Sequence, residues 1–143
     1  MPGVTDVTID TVARTVWGEA RSEGINGMRA VAHVICNRAG DNRWPSDHAD
    51  VCTQPSQFSC WNQDDPNRER LVGVEWTDVN FQHAYALSCT AIIPVSHGSH
   101  GNGDPTHGAN HYCTAQLLED SPPAWADLKK ITARIGNHVF FRL

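Results

Sequence analysis

The sequence lacks three features that would direct it to nucleic acid, a membrane or the secretory route. It has no run of lysine and arginine, and its net charge of -5 opposes binding to a phosphate backbone. No apolar stretch is as long as a membrane span, and residues 1–6 carry neither a basic nor an apolar leader. We therefore expect a protein made in the cytoplasm, with no nucleic-acid partner and no membrane insertion. The 143 residues suffice for one domain with a hydrophobic core, and we expect a monomer.

The sequence also lacks the paired cysteine motif of structural zinc sites. Its five cysteines include no CxxC pair. Cys36 and Cys89 fall in apolar helical patterns, which favours buried free thiols. Cys52 and Cys60 lie eight residues apart in a loop that contains proline, so they could form a disulfide. A cytoplasmic compartment, however, favours reduced thiols.

The first predicted helix carries an acidic residue at the edge of its apolar face. Apolar residues recur at helical spacing between Ile9 and Ala20, and Thr8 is the predicted N-cap. Glu19 falls at the margin of this stripe, where a carboxyl can be half desolvated. Desolvation raises the pKa of a carboxyl, which suits an acid catalyst at neutral pH. The same position also fits a surface glutamate that pairs with Arg21.

Hydrophobic periodicity predicts an α+β fold, with a helical core and a small antiparallel β lobe late in the chain. Three more helices with apolar stripes are expected at about residues 28–39, 78–93 and 128–135. Gly136 is expected to end the last of them. Two short strands are predicted at residues 111–113 and 138–141.

The loop between residues 40 and 67 carries a short aromatic and polar segment. Gln57, Phe58, Ser59 and Trp61 combine rings that could stack on sugars with groups that could pair with sugar hydroxyls. A loop of this length inside a small domain is often functional. The two aromatic side chains could equally pin the loop to the core, and the two roles are compatible.

A glycine-rich loop dense in histidine ends at the first predicted strand. His97, His100, Asp104, His107 and His111 lie within fifteen residues, and zinc enzymes use three such ligands and a water. A zinc-dependent amidase or peptidase is therefore one function that this loop would allow. The glycines oppose a helix that would present two histidines together, and no HExxH motif occurs. We therefore expect no metal and no other cofactor.

Five short motifs follow one another in order across most of the chain, at residues 17–21, 30–38, 57–59, 104–112 and 135–140. Together they resemble the SleB-like cell-wall hydrolase family, found in spore-cortex lytic enzymes and phage endolysins. The resemblance implies a lysozyme-like fold of the lytic-transglycosylase type that acts on peptidoglycan. It also implies that Glu19, the glutamate after glycine in the first helix, is the catalytic acid.

The implied substrate bond joins N-acetylmuramic acid to N-acetylglucosamine. A neutral Glu19 would donate its proton to the bridging oxygen. Hydrolysis usually needs a second carboxylate, for which Glu23 and Asp104 are candidates, although they also fit a helix end and a turn. Lytic transglycosylation needs none, because the muramic acid 6-hydroxyl attacks and Glu19 takes its proton; both reactions fit the sequence. The residues expected to bind sugar or orient Glu19 across one cleft are Gln57, Phe58, Ser59, Trp61, His111 and Tyr112.

The departures from the spore enzymes indicate a setting for the protein. A leader and a separate peptidoglycan-binding repeat are expected of those enzymes and are not found here. This favours a compact phage endolysin, made in the host cytoplasm and released to the cell wall by a holin. Its partners would be peptidoglycan glycan strands. A non-catalytic glycan-binding module that keeps the aromatic residues is a third interpretation.

Overall fold

The computed structural model describes residues 5–93 and 103–143. The α-helices in these ranges are α1 Asp6–Ala20, α2 Gly24–Ala39, α3 His48–Thr53, α4 Pro66–Gly73, α5 Val79–Ile92 and α6 Ala115–Asp120. The strands are β1 His111–Thr114, β2 Ile131–Ile135 and β3 His138–Phe141, and they form one antiparallel sheet in the order β1–β3–β2. The predicted α+β class, with a helical core and a small β lobe, is confirmed.

Helix α2 separates the helical core from the sheet. One side of α2 packs with α1 and α5 in a cluster that includes Val12, Val16, Met28, Val31 and Phe81. On another side, Ala30 and Val34 pack against Phe140 of β3. A helix that is apolar nearly all round is therefore buried on two sides, as its sequence predicts. This arrangement places the carboxyl-terminal ends of α1 and α2 beside the sheet.

The first two helices begin earlier than predicted. The N-cap of α1 is Thr5, whose side chain accepts a hydrogen bond from the backbone N–H of Thr8 at 3.2 Å. A 3₁₀ turn over Arg21–Glu23 joins α1 to α2, and Gly24 begins α2 with a φ of 75°. Only glycine adopts this left-handed conformation without steric cost. Gly24 thus allows α2 to begin directly after the 3₁₀ turn, with no loop between the two helices.

Residues 128–135 do not form the predicted helix. A 3₁₀ turn over Leu128–Lys130 leads into β2, which pairs with β3 across a tight turn. Ile131 and Ile135 are four residues apart, a spacing that fits one face of a helix or of a regular strand. In β2 an irregularity between Ile131 and Ala133 separates them, so Ile131 packs beside Val139 and Ile135 beside Phe140. Gly136 has a φ of 57° in the turn between β2 and β3, so its left-handed conformation serves a hairpin and does not end a helix.

The cysteines and the long loop complete the described structure. All five cysteines are free thiols, so Cys52 and Cys60 do not form a disulfide, and Cys36 and Cys89 are only half-buried. The segment predicted as a loop contains α3 and a 3₁₀ turn over Ser59–Trp61. Within residues 5–93 and 103–143, no helix is long and apolar enough to cross a membrane.

Candidate active site

Glu19 lies in a pocket at the boundary between the helical core and the sheet. The pocket has a volume of about 340 Å³. Its walls come from the ends of α1 and α2, the loop after α3, strand β1 and the loop after α6. Its lining residues are Glu19, Arg38, Ser56, Gln57, Phe58, His111, Tyr112 and Trp125. Glu19 and Tyr112, which lie 93 positions apart in the sequence, therefore meet in this pocket.

The Glu19 carboxyl is half-buried and accepts a hydrogen bond of 2.8 Å at Oε1 from the hydroxyl of Tyr112. Burial raises the pKa of Glu19 above its ordinary value of 4.5, and the negative charge of Asp65 adds to the rise. Hydrogen bonds from Tyr112 and Cys60 and the charge of Arg38 oppose it without cancelling it. The carboxyl therefore keeps its proton to a higher pH than a solvated glutamate, which a general acid needs.

Arg21, the alternative partner of Glu19, is engaged elsewhere. Its guanidinium stacks on the ring of Trp17, 4.1 Å from the ring centroid. Its Nη2 donates a hydrogen bond of 2.9 Å to Asn67 Oδ1. These contacts hold Arg21 against α1 and the start of α4, so the pocket side of Glu19 is open to a ligand.

The Tyr112 side chain lies between Glu19 and strand β3. Burial, and then the neighbouring Glu19 carboxylate, raise the pKa of Tyr112 well above 10, so its hydroxyl stays protonated and donates. Its ring packs against Phe140, with 5.6 Å between centroids, and edge-on against His138, with 5.1 Å. The sheet thus fixes the direction of the hydrogen bond to Glu19.

Arg38 is a buried cation in the pocket wall that was not predicted from the sequence. It is only 6% exposed, and its Nε donates to the carbonyl oxygen of Asn110 at 2.8 Å. Its Nη1 donates to Gln57 Oε1 at 3.4 Å, and the guanidinium lies over the rings of Trp44 and Phe58. Arg38 therefore ties the loop after α3 to the start of β1. The available signal was a charged residue in the last turn of a largely apolar helix, since buried arginines are rare without partners.

The far wall of the pocket is aromatic. The rings of His111 and Trp125 lie 4.9 Å apart, and Trp44 packs edge-on against His111 at 5.9 Å. Burial, with the charges of Arg38 and Arg43, lowers the pKa of His111 to about 4, so the ring is neutral at physiological pH. Its Nδ1 lies 2.8 Å from Asn110 Oδ1, which leaves Nε2 as a hydrogen-bond acceptor. Trp125 is not among the site residues predicted from the sequence, and folding brings it to the pocket wall beside His111.

Ser59 and Trp61 are not among the residues that line the pocket. The indole N–H of Trp61 donates to Thr15 Oγ1 at 2.8 Å, so this ring pins the loop to α1. Ser59 is exposed at the start of a 3₁₀ turn, where the alternation of an extended strand no longer applies. Ser56, which has a φ of 66°, lines the pocket instead, beside Gln57.

Neither candidate second carboxylate lies in the pocket lining. Glu23 accepts hydrogen bonds from the backbone N–H and from Nδ2 of Asn137, at 2.8 and 3.1 Å. Asp104 accepts from Asn37 Nδ2 at 2.8 Å and from groups of its own turn. Both carboxylates satisfy neighbouring donors, and Glu19 is the one acidic side chain that lines this pocket in the described part of the chain.

The histidine-rich loop is described only from residue 103 onwards, so His97 and His100 lie outside the described residues. Across residues 5–93 and 103–143, no group of three or more His, Cys, Asp or Glu side chains could hold a metal ion. His107 is exposed, and His111 is held by Asn110 and Trp125.

A helical core with a small sheet and one desolvated glutamate in an aromatic pocket defines a lysozyme-like class of protein. The model of the cell wall hydrolase family matches residues 22–141 of the chain. The chain belongs to the cell wall hydrolase family, which confirms the resemblance seen in its motifs. The matched range begins at residue 22, so it does not include Glu19. Support for a role of Glu19 therefore comes from the geometry of the pocket.

Two solved structures share the fold. The catalytic domain of the germination-specific lytic transglycosylase SleB from Bacillus anthracis has 24% identity and a TM-score of 0.72, covering 99% of this chain and 100% of that one. The catalytic domain of the Bacillus cereus SleB protein has 23% identity and a TM-score of 0.71, covering 99% and 94%. At this identity the likeness shows the fold, and it confirms the predicted lysozyme-like architecture.

A spore cortex-lytic enzyme of Halalkalibacterium halodurans is 28% identical over 138 residues. The aligned region covers 96% of this chain and 36% of that enzyme. The chain therefore spans about a third of the length of this relative.

Proposed function

We propose that this protein cleaves the glycan strands of peptidoglycan, at the β-1,4 bond between N-acetylmuramic acid and N-acetylglucosamine. The observation that carries the proposal is the Glu19 carboxyl, whose pKa is raised by burial and whose orientation is set by Tyr112. The names of its relatives, a spore cortex-lytic enzyme and a lytic transglycosylase, support a cell-wall glycan as substrate.

Lytic transglycosylation is the reaction that the pocket favours. Glu19 donates its proton to the bridging oxygen as the bond from muramic acid C1 to that oxygen breaks. The muramic acid 6-hydroxyl then bonds to C1 and returns its proton to the Glu19 carboxylate, which leaves a 1,6-anhydro ring and the starting form of the enzyme. No water and no second carboxylate take part, and Glu19 is the one acid in the described pocket lining.

The other pocket residues would bind the sugar rings. His111 and Trp125 offer faces for stacking, and Gln57 and the neutral His111 offer hydrogen bonds to hydroxyl or acetamido groups. Phe58 is only 2% exposed and lies under the Arg38 guanidinium, so it supports the pocket wall from behind. Arg38 holds Gln57 and Phe58 in place. We assign Ser59 and Trp61 to the support of this loop and not to sugar contacts.

Mass spectrometry of digested peptidoglycan tests the reaction. Anhydromuramic ends are expected from transglycosylation. Reducing muramic ends would identify a muramidase and contradict transglycosylation. Free stem peptides would identify an amidase and contradict the proposed function.

The proposal also includes the route by which the protein reaches the cell wall. We propose that one domain acts as a monomer, as an endolysin that a holin releases to the cell wall. Cytoplasmic expression in a susceptible host should then lyse cells only when a holin is also expressed. Lysis by the enzyme alone would contradict this route of release.

A further inference from the structure

A hydrogen-bonded turn connects the start of α2 to the edge of the pocket. Both oxygens of the Glu23 carboxylate accept from Asn137, which lies in the turn between β2 and β3. The Glu23 side chain is only 11% exposed, and its Oε1 lies 3.6 Å from His138 Nδ1. Glu23 is thereby fixed at the point where β3 begins.

His138 stands between Glu23 and Tyr112. The His138 side chain is 10% exposed, and its Nδ1 has no hydrogen-bond partner in the described structure. Its ring packs edge-on against Tyr112 at 5.1 Å and edge-on against Phe140 at 6.2 Å. A buried ring nitrogen without a hydrogen bond costs free energy, so the presence of a histidine at this position calls for a compensating role.

We propose that His138, held in place by Glu23, is a positioning residue that keeps the Tyr112 hydroxyl on the Glu19 carboxyl. This inference rests on the proposed function, in which Glu19 is the general acid. The chain of contacts is continuous: Glu23 binds the turn, His138 packs on the Tyr112 ring, and Tyr112 donates to Glu19 at 2.8 Å. Glu23 therefore has a role in the site without being a second catalytic carboxylate.

The two faces of β3 provide a matched control. His138 and Phe140 face α2 and Tyr112, whereas Val139 and Phe141 pack in a separate cluster with Cys113. Val139→Ala should destabilise the sheet without touching Tyr112. His138→Ala removes the ring, and His138→Leu keeps an apolar side chain of similar volume in case the alanine variant folds poorly.

The test measures the pKa of Glu19 directly, by NMR titration of protein with ¹³C-labelled glutamate. The Glu19 signal is assigned by its absence in Glu19→Gln. Because the hydrogen bond from Tyr112 lowers the pKa of Glu19, its loss should raise that pKa. We expect the rise in Tyr112→Phe, His138→Ala and His138→Leu, a smaller rise in Glu23→Ala, and none in Val139→Ala.

Kinetics and a double variant complete the test. His138→Leu should lower kcat by about 10-fold or more with little change in KM, because a misplaced catalytic group slows the chemical step. Adding His138→Leu to Tyr112→Phe should raise the pKa of Glu19 no further, since both act through one contact. An unchanged Glu19 pKa in both His138 variants, or additive effects in the double variant, would overturn the inference. Full activity of Glu19→Gln would instead overturn the proposed function, and the NMR titration can be read in either case.

Discussion

Glu19 has a free-energy cost in the folded protein, because burial disfavours its charged form. Its pKa is higher in the folded chain than the ordinary 4.5, so folding strengthens proton binding. The contribution of Glu19 to the free energy of unfolding is therefore most favourable below the unfolded-state pKa, and it is lost as pH rises through the folded-state pKa.

Glu19→Gln should consequently raise the melting temperature at neutral pH. Glutamine has nearly the same shape, can still accept from Tyr112, and is never charged. The gain over wild type should shrink at about pH 4 and below, where Glu19 is protonated in both states. Calorimetry of the two proteins at several pH values measures this difference. A variant that is less stable than wild type at every pH would show that Glu19 is not desolvated.

Tyr112→Phe should change the pH profile of catalysis. Without the hydroxyl the pKa of Glu19 rises further, so the high-pH limb of kcat/KM should move to higher pH while the maximum rate falls. The melting temperature should change little, because the ring and its packing remain. Tyr85→Phe, on α5, is the matched control, since Tyr85 contacts Trp76 and Phe81 outside the pocket. A profile identical to wild type would remove Tyr112 from the site.

At the scale of elements, the close contact between α1 and the loop after α3 depends on Gly18. A Cβ at this position would lie 3.0 Å from Leu71 Cδ2 and 3.2 Å from Cys60 Cβ. Gly18→Ala should cost about 1–3 kcal/mol through overpacking and displace the loop that carries Gln57. Gly73→Ala, where nothing lies within 4 Å, should leave stability and activity unchanged. Denaturant unfolding and turnover of both variants make the comparison, and equal stability of the two would contradict the tight packing.

Elements whose apolar spacing fits only a helix or only a strand were predictable from the sequence. Elements whose spacing fits both were not. The spacing of the apolar residues from Ile9 to Ala20 fits a helix and not a strand, so Glu19 could be placed at the edge of the apolar face. The spacing of Ile131 and Ile135 fits a helix and a strand alike, and only pairing with β3 decides between them. Local sequence therefore failed where a distant strand supplies the hydrogen bonds.

The pocket was predictable in part for the same reason. The segments around Phe58 and Tyr112 were expected to meet at Glu19, and the structure places both in the lining. Arg38 and Trp125 were missed because their contacts come from residues far away in sequence. Glu23 was expected as an acid for catalysis, and its hydrogen bonds to a turn more than a hundred residues later have no local signal.

At the scale of the whole molecule, the helical core and the sheet each supply one side of the pocket around the Glu19 carboxyl. The reaction proposed for this site needs no metal, because its proton donor would be a carboxyl. Activity on peptidoglycan should therefore be the same before and after treatment with EDTA. Turbidity assays with and without the chelator measure this. Activity that is lost on chelation and restored by zinc would favour the amidase alternative built on the histidine-rich loop.

The most direct test of the central claim is the digestion of purified peptidoglycan by Glu19→Gln. The amide cannot donate a proton as an acid does, so the release of glycan fragments should fall by about 10²–10⁴-fold. Circular dichroism should show an unchanged fold, and Glu119→Gln, at an exposed position on α6, should keep full activity. A folded Glu19→Gln variant that releases fragments within a few-fold of the wild-type rate would contradict the claim that Glu19 is the general acid.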